Sequence, residues 1–583
     1  MKVGKKRNLK GRLVIAAILL GLAPAIASGG VIYVDADAPP GGNGQMWATA
    51  YKYLQDALAV AQDGNDIWVA DGTYKPDANS ADPNGTGDRT ATFQLINGVG
   101  LYGGFASGES SLDERDLQTN ETILSGDLDG NDVQGLDPCD LLSHPNRAEN
   151  SYHVVTAPAA CADAVLDGFT ITGGNANGSD NYNRDGGGMY SFHGSTATVV
   201  NCTSIANSAK DDGGAFFMSS GSPTVMQCTI TSNSASDDGA GIYCSGGEPF
   251  ISDCNISYCL AGDYGSGGGM CCRDNHPVII TDTVVSRCSG GYGGGVYCAQ
   301  TSGRIEGCFI HDNNSWAEDA GEGGAIYLYA ASPDIIKCKI IGNNARFDGG
   351  GIYCDQSESN PRIVNCVISN NQSWLGGGVS CNWGSPSLWN CTISGNQSVV
   401  GGGVGYDMGS PSLENCILWG DTPNEIDGWG GTPVLSYCDI EGGWSGSGSD
   451  NIAFDPCFVD GSNADPNLRD YHLRRGSPCI EAGNPGSPLP ILCQTDLDGR
   501  PRVADGDCNC VAVVDMGAYE LGAGDLDCNG SVNMVDFAIF ALAWLTEPGD
   551  NQWNPCCDMS FLPDGYVDWR DLDFLVGNWL AGL

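Results

Sequence analysis

A repeat of about 27 residues constrains the fold of this chain more than any other feature. The first apolar residues after successive glycine clusters are Met189, Phe216, Ile242, Met270, Val296, Ile326, Ile352, Val379 and Val404. Their spacings are 27, 26, 28, 26, 30, 26, 27 and 25 residues. Such a unit is too short for a propeller blade of roughly 40 residues, and its glycines and β-branched residues disfavour helical repeats. The repeat therefore predicts an all-β chain, a right-handed parallel β-helix with two or three short strands per coil.

Stacked coils should align side chains of one kind along the helix axis. Asparagines recur at one offset of the repeat, at Asn207, Asn233, Asn313, Asn343, Asn371 and Asn396. Amides stacked in this way hydrogen-bond along the axis, although each asparagine also suits a turn. Both interpretations place these residues at corners of the coil, so the predicted fold does not depend on the choice.

Cysteines form two further files. The first contains Cys202, Cys228, Cys254, Cys308, Cys338, Cys366, Cys391, Cys416 and Cys438, with Asp282 at its break. The second contains Cys244, Cys272, Cys298, Cys354 and Cys381, with Leu328 at its break. Strand alternation turns them inward. An exported protein permits disulfides, but the broken files favour buried thiols that pack as small hydrophobic groups.

The N-terminus resembles an export signal. Residues 1–27 combine a basic start, the apolar run Leu13 to Leu22 and the small-x-small sequence Ala25-Ile26-Ala27, which is typical of a cleaved signal peptide. An uncleaved anchor is the alternative. We therefore expect a secreted protein, extracellular or at the cell surface, with no transmembrane segment in the mature chain. Its formal net charge of −45 argues against a nucleic-acid partner.

The rest of the chain divides around the repeat. Residues 31–150 are predicted to form an N-terminal cap and the first coils, with a capping helix within 51–64. Residues 151–440 form the repeated coils, and 441–521 the C-terminal end of the solenoid. Motifs at both ends, including Leu101-Tyr102-Gly103-Gly104-Phe105 and Asp515-Met516-Gly517-Ala518-Tyr519-Glu520, resemble secreted bacterial proteins of the pectin-lyase-like superfamily. The Gly-Gly-Ala-Ile and Ile-x-x-Asn elements resemble repeats of chlamydial polymorphic membrane proteins.

Residues 524–583 carry two acidic loops. The first places oxygen-bearing residues and a glycine at the spacing with which an EF-hand-like loop binds calcium. Its candidate ligands are Asp525, Asp527, Asn529, Ser531 and Asp536. The second loop offers Asp558, Ser560, Asp564, Tyr566 and Asp571. A two-residue insertion puts Ser560 in question, and helices are expected over 537–545 and 572–580.

The paired loop and helix segments resemble a type I dockerin. The resemblance implies calcium-dependent folding and docking onto a cohesin-like protein. The positions that read the partner in that family fall on Met534 and Val535 in the first half and on Trp569 and Arg570 in the second. The two halves therefore differ, which argues against a symmetric dual binding mode.

Three groups of surface residues are candidates for function. Arg304, Asp334 and Arg362 share one offset, which favours a cross-strand row of ion pairs. Asp185, Asp212 and Asp238 precede successive glycine clusters, as do Glu322 and Asp348 in later coils. Ordinary turn chemistry is the favoured interpretation of these acids, followed by a calcium ladder and then by an acid–base pair.

Trp316, Arg346 and Trp374 form the third group, and they recur in three consecutive coils. Such a file could stack on sugar rings and hydrogen-bond to a polysaccharide or cell-surface glycan, or simply cover a turn. Only eight basic residues lie between Met189 and Asp439, and the polygalacturonase-type catalytic set is not assembled. We therefore favour a binding protein docked by its tail, with a pectate-lyase-like lyase or a glycoside hydrolase as the alternative.

Overall fold

The fold was analysed in a computed structural model. It describes residues 29–583 apart from 160, 193, 275–276, 487–493, 504–511, 522–533, 553, 555–556, 558–565, 573–574 and 577–583. The predicted signal peptide, residues 1–27, lies outside the described residues. Among the described helices, none is long and apolar enough to span a bilayer.

Three long parallel sheets wind around one core, so the chain forms the predicted β-helix. Within a coil the chain passes from sheet C to sheet A and then to sheet B, and each strand pairs with its counterpart one coil away. Sheet A contains Val31–Val34, Asp66–Ala70, Gly100–Phe105, Val165–Asp167, Thr198–Val200, Thr224–Met226, Phe250–Ser252, Pro277–Thr281, Ser302–Glu306, Asp334–Ile336, Arg362–Val364, Ser387–Trp389, Ser412–Glu414 and Val434–Ser436. Sheet B contains Gly72–Tyr74, Thr122–Ser125, Thr170–Thr172, Thr203–Ile205, Thr229–Thr231, Asn255–Ser257, Val284–Ser286, Phe309–His311, Lys339–Ile341, Val367–Ser369, Thr392–Ser394, Ile417–Trp419 and Asp439–Ile440. Sheet C contains Phe93–Gln94, Val155–Ala157, Met189–Ser191, Phe216–Ser219, Ile242–Ser245, Met270–Arg273, Val296–Ala299, Ile326–Tyr329, Ile352–Asp355, Val379–Asn382, Val404–Asp407 and Ile426–Trp429.

Short elements complete the coils and the ends. Two-residue strands between sheets B and C are Asn175–Ala176, Ser208–Ala209, Ser234–Ala235, Asn314–Ser315 and Asn344–Ala345, and an antiparallel pair is formed by Phe458–Asp460 and Asp470–Leu473. Among the described residues, the α-helices are Leu54–Leu58 and Met534–Leu542, and residues 569–572 and 575–576 are also helical. The 3₁₀ helices in the same part of the chain are Trp47–Thr49, Leu112–Glu114, Pro138–Asp140, Pro145–Arg147, Asn181–Asn183 and Pro466–Leu468. The capping helix is thus shorter than predicted, and it buries Leu54 and Ala57.

The asparagine file is a hydrogen-bonded ladder inside the coil. Asn313 Nδ2 donates to Asn343 Oδ1 at 3.0 Å, and Asn343 Nδ2 donates to Asn371 Oδ1 at 2.9 Å. Each amide also donates to a backbone carbonyl of the preceding coil, as Asn343 does to Ile310 O at 2.9 Å. The stacking interpretation is confirmed, with Cys259 and Cys288 filling the two coils that lack an asparagine.

The first cysteine file follows the prediction except at its break. Its cysteines are buried free thiols. The strand register places Thr283 beside Cys254, whose backbone N–H donates to Thr283 Oγ1 at 3.3 Å. Asp282 was therefore the wrong residue for this file. That coil is longer, so Asp282 occupies the turn between sheets A and B with φ of 48°.

Residues 441–521 do more than close the open end. Tyr471, Ala518 and Tyr519 pack on Val367 on the outer face of sheet B. The Ala518 N–H donates to Thr392 Oγ1 at 3.0 Å, 126 residues away along the chain. The segment therefore runs back along the solenoid and covers one of its sides.

The described part of the C-terminal segment has its own small core. Phe540 and Ala543 pack with Cys557, Val567 and Leu575. The first helix spans Met534–Leu542, three residues earlier at both ends than predicted. It ends early because Leu545 adopts a φ of 61° and its N–H donates to Val567 O at 2.9 Å.

Candidate functional site

The outer face of sheet C carries a file of aromatic rings. Alternation turns every second side chain of its strands away from the core, and the repeat places Tyr or Phe at that position in most coils. The rings of Phe217 and Tyr243 stack at 5.1 Å, and those of Tyr327 and Tyr353 stack at 4.9 Å. The rings are largely buried by stacking on one another and by the turn that precedes each strand. They form a packed aromatic layer on the outside of sheet C, which we call the aromatic floor.

An acidic file runs beside this floor, in the turn that enters sheet C. Its first group is Asp185, Asp212 and Asp238. The Asp212 N–H donates to Asp185 Oδ1 at 3.1 Å, and the Asp238 N–H donates to Asp212 Oδ1 at 3.0 Å. These bonds support the interpretation of the group as turn chemistry. Arg273 closes the group by pairing with Asp238 at 2.6 Å.

The first acidic group is nevertheless electrostatically strained. Burial raises the pKa of Asp185 to about 6. Burial and the charge of Asp238 raise the pKa of Asp212 to about 8. Asp212 is therefore largely protonated at neutral pH, which reduces the repulsion between carboxylates one coil apart.

The second acidic group contains more carboxylates than the sequence indicated. Burial and the charge of Asp348 raise the pKa of Glu322 to about 7. Burial and the charges of Asp407 and Asp355 raise the pKa of Asp348 to about 6. The charges of Glu322, Asp348, Asp355 and Asp407 thus affect one another's ionisation on the outer side of sheet C. Glu322 Oε2 is buried without a hydrogen-bond partner.

Asp355 and Asp407 were missed because only acids in the turn were considered. Each lies three residues after the first apolar residue of its coil, at Ile352 and Val404, and therefore on the outer face. Strand alternation in the sequence was therefore sufficient to predict that both carboxylates face outward. Tyr327 donates its hydroxyl to Asp355 Oδ2 at 3.0 Å, which ties the carboxylate to the aromatic floor.

The predicted file of Trp316, Arg346 and Trp374 exists in three consecutive coils. In the strand register, Asn344 pairs with Asn314 of one adjacent coil and with Gln372 of the other. Trp316, Arg346 and Trp374 each lie two residues after one of these three positions. The side chains of Trp316 and Trp374 are 51% and 45% exposed. Two large apolar rings thus remain open to solvent two coils apart, with Arg346 in the coil between them.

The file lies beside the second acidic group and not the first. Trp316 shares its coil with Glu322, and Arg346 shares its coil with Asp348. Asp238 lies three coils earlier in the acidic file, because Ser266 and Tyr292 intervene before Glu322. The structure therefore places the exposed tryptophans in the same coils as Glu322 and Asp348, or in adjacent ones, and the pKa values of these two carboxyls are raised.

Two further features extend this face. Trp429, at the end of the last sheet C strand, makes an edge contact with Trp374 at a ring-centroid distance of 6.2 Å. An open depression of about 730 Å³ lies where sheet C turns into sheet A, lined by Gln300, Thr301, Ser302, Tyr329, Ala330, Ser332, Gln356 and Glu358. Its amides and hydroxyls beside an exposed tyrosine are the groups that recognise sugar hydroxyls. We name the exposed tryptophans, the four carboxyls and this depression the sheet C face.

The predicted ion-pair row is present only in part. Arg362 Nε donates to Asp334 Oδ1 at 2.6 Å across one coil. Arg304 pairs with Glu306 on its own strand at 3.0 Å. The three residues are aligned by register as predicted, and the arrangement on the outside of sheet A is structural.

Most of the predicted calcium ligands lie outside the described residues. These are Asp525, Asp527, Asn529, Ser531, Asp558, Ser560 and Asp564. Of the others, Asp536 and Asp571 are buried, whereas Tyr566 is exposed. Asp571 Oδ2 accepts the Asp568 N–H at 2.8 Å at the start of the second helical segment. The two calcium loops remain predictions.

Comparison with known proteins supports the architecture. Residues 240–418 match the family model described as right handed beta helix region, and residues 227–245 match the Chlamydia polymorphic membrane protein repeat. No curated protein matches the chain.

Several solved structures are similar in outline. Pectate lyase Pel9A is 13% identical, with 85% of this chain and 97% of that chain covered and a TM-score of 0.35. The A-module of mannuronan C-5 epimerase AlgE4 from Azotobacter vinelandii is 12% identical, covering 72% and 100%, with a TM-score of 0.30. PfbA, a surface adhesin of Streptococcus pneumoniae, is 10% identical, covering 66% and 88%, with a TM-score of 0.28. Likenesses at this level assign no activity. The strand register and the family-model match together show that the body of the chain is a right-handed parallel β-helix.

Proposed function

We propose that the sheet C face binds a polysaccharide chain with few or no acidic groups. The observation that carries the proposal is the pair of exposed tryptophans, Trp316 and Trp374, two coils apart with Arg346 between them. Coils are spaced by about 4.8 Å, so the rings present platforms on which sugar rings of one chain can stack. The acidic surface repels an anionic glycan unless cations bridge the two.

Aromatic stacking on this face is tested by replacing one tryptophan at a time. Trp316→Ala and Trp374→Ala should each weaken binding to a neutral glycan by roughly 5- to 10-fold, since one stacked ring contributes about 1 kcal/mol. Phe454→Ala is the matched control, because Phe454 is an exposed aromatic residue outside the sheet C face. Affinity electrophoresis on a panel of neutral and acidic polysaccharides measures the effect. Unchanged affinity in both tryptophan variants would reject the proposal.

A second candidate function is glycoside hydrolysis at the same face. Glu322, with a pKa of about 7, could hold the proton that a general acid donates, and Asp348 could act as its partner carboxylate. Reducing-sugar release by the parent chain, abolished in Glu322→Gln and Asp348→Asn, would support an enzyme. Glycan binding without products would leave a binding protein.

The proposal extends to the location and anchoring of the chain. Export rests on the sequence of residues 1–27, and docking rests on the two acidic loops of 524–583. Met534, Val535 and Trp569, at the positions that would read a cohesin-like partner, are exposed. Binding to an immobilised type I cohesin should require calcium and be lost in EDTA. Binding that persists in EDTA, or none with calcium, would refute the docking role.

A further inference from the structure

A cluster of acids lies in the long connection between Thr122–Ser125 of sheet B and Val155–Ala157 of sheet C. One carboxylate oxygen from each of Asp127, Asp132 and Glu149 lies within 4.8 Å of the other two. The two ends of the connection are joined, because the Ser151 N–H donates to Gly126 O at 2.8 Å. The cluster therefore sits at the base of a closed loop.

The backbone holds one of these acids in a fixed orientation. The Asp127 carboxylate accepts the N–H groups of Gly130 at 2.7 Å, Asn131 at 3.0 Å and Asp132 at 3.0 Å. The turn that results places Asp132 opposite Asp127. The Asp127 carboxylate cannot leave the cluster without breaking this turn.

Three oxygens at the cluster are buried and lack a hydrogen-bond donor. They are Asp132 Oδ1, Glu149 Oε1 and Asn150 Oδ1. Asn150 is completely buried. Its Nδ2 donates to Asp132 Oδ2 at 2.9 Å and to Gly173 O at 2.6 Å, which fixes the amide orientation and leaves Oδ1 as the unsatisfied atom. Unsatisfied buried oxygens cost free energy, so three of them on the side chains of one cluster indicate a missing partner.

The charge of the cluster also indicates a missing cation. Arg147 pairs with Asp132 at 3.0 Å, and its other nitrogen donates to Gly174 O at 2.9 Å and Ala206 O at 3.0 Å. It neutralises one of three carboxylates. Lys75 also lies at this turn, where its Nζ donates to Leu128 O at 2.9 Å. The three carboxylates therefore outnumber the two nearby cations, and negative charge remains.

We propose that Asp127, Asp132, Glu149 and Asn150 form a divalent-cation site, and that calcium is the ion it takes. Carboxylate and amide oxygens are hard ligands of the kind that calcium prefers, and calcium tolerates the irregular geometry of a loop. Zinc is disfavoured because the cluster contains no cysteine or histidine. The ion satisfies the orphaned oxygens and cancels the remaining charge.

The position of the site gives the ion a structural role. Asn150 and Arg147 bond to Gly173 and Gly174, in the turn that follows sheet B. Three residues after Asn150, His153 Nδ1 contacts Gly186 O at 3.0 Å, next to the first residue of the acidic file. Calcium at this site would fasten the connection to the first coils of the solenoid, beside the first acidic group.

Calcium stoichiometry of the full chain tests the site. Equilibrium dialysis should show one calcium fewer per chain in Glu149→Gln than in the parent. Asp129→Asn is the matched control, because it removes an equal charge from an exposed position in the same loop. The same difference of one calcium should persist when Asp536→Ala and Asp571→Ala disable the proposed C-terminal loops. The loop-127–149 site and the C-terminal loops are thus tested independently, because the Glu149→Gln difference does not depend on whether the C-terminal loops bind calcium.

Thermal unfolding supplies a second readout. In EDTA, Glu149→Gln should unfold at the same or a higher temperature than the parent, because it relieves repulsion among the acids. Added calcium should raise the unfolding temperature of the parent and of Asp129→Asn, but raise that of Glu149→Gln less. Equal calcium stoichiometry in Glu149→Gln and the parent would overturn the site. Destabilisation of Glu149→Gln in EDTA would also overturn it, since Glu149 would then act as a partner of Arg147.

Discussion

Asn396 Nδ2 donates to Asp421 Oδ1 at 2.9 Å, so the asparagine ladder ends on a buried carboxylate. The Asn396 backbone N–H donates to the same oxygen at 2.6 Å, and the Asp421 N–H donates to Glu425 Oε1 at 3.2 Å. Asp421 and Glu425 are both buried. A neutral amide ladder thus terminates in two acids inside the last coils.

Asp421→Asn should stabilise the protein at pH 8. Burial raises the pKa of Asp421 to about 6. A carboxyl with a raised pKa contributes most stability in acid and loses it as pH rises through that value. Asparagine keeps the acceptor oxygen and cannot ionise, so the gain is on the order of 1 kcal/mol at pH 8 and smaller at pH 4. Unfolding temperatures of variant and parent at both pH values test this, and an equal difference at both would contradict it.

Asn343→Ala should be strongly destabilising. It removes the acceptor for the Asn313 backbone N–H at 3.0 Å and for Asn313 Nδ2, and it breaks the bond to Asn371. Buried groups left without partners should cost roughly 2–5 kcal/mol in total. Denaturant unfolding followed by circular dichroism provides the measurement. Asn467→Ala, at an exposed position, should change stability by less than about 0.5 kcal/mol; comparable losses in both variants would argue against the ladder.

His472 should hold two parts of residues 441–521 together in a pH-dependent way, because both of its carboxylate partners belong to that segment. Burial alone would lower its pKa, but contacts of Nδ1 with Asp470 at 2.5 Å and of Nε2 with Asp498 at 2.8 Å raise it to about 9. The unfolded value is about 6.5. The stabilisation is therefore complete below about pH 6.5 and lost as pH rises through about 9.

The variant His472→Gln isolates this contribution. It should lower stability by roughly 1–3 kcal/mol at pH 6 and have little effect above pH 10. The pH dependence of the difference in unfolding temperature between parent and variant is the readout, with His144→Gln as the control substitution. A difference that does not change between pH 6 and 10 would show that the two ion pairs contribute nothing.

The cysteine files should be chemically silent in the folded protein. Among the described cysteines, Cys139 is exposed and Cys457 is partly exposed, whereas the files are buried. Burial raises the pKa of Cys354 and of Cys381, which lowers the reactivity of these two thiols further. Alkylation followed by peptide mass spectrometry should label Cys139 first and Cys457 more slowly. Cys366 and Cys391 should be labelled only after unfolding, without reductant; a requirement for reductant would show that they form disulfides.

The repeat length and the side-chain files were determined by the sequence alone. A parallel β-helix places each coil above its neighbour, so equal offsets such as Asn313 and Asn343 become contacts without further information. The prediction was wrong at Asp282, where a longer coil shifts the offset by one residue, and the register assigns the position to Thr283. The predicted capping helix was also too long: Ala61 packs against the core as its spacing suggested, but the chain leaves the helix after Leu58.

The candidate face was predictable only in its parts. The sequence identified Trp316, Arg346 and Trp374 and both acidic groups, but it did not show which of them are neighbours, because coil lengths vary from one unit to the next. Only the register pairs the tryptophans with Glu322 and Asp348. Asp355 and Asp407 enter the face because strand parity turns them outward.

Long-range packing was decided by the tertiary structure alone. The return of residues 441–521 along sheet B depends on contacts such as that of Ala518 with Thr392, 126 residues apart, and no local pattern encodes them. The cluster of Asp127, Asp132 and Glu149 likewise forms only when the ends of its loop meet. A periodic sequence determines contacts between repeats, since each coil can pack in only one way on the next. Segments without that period find their partners through the free energy of the whole fold.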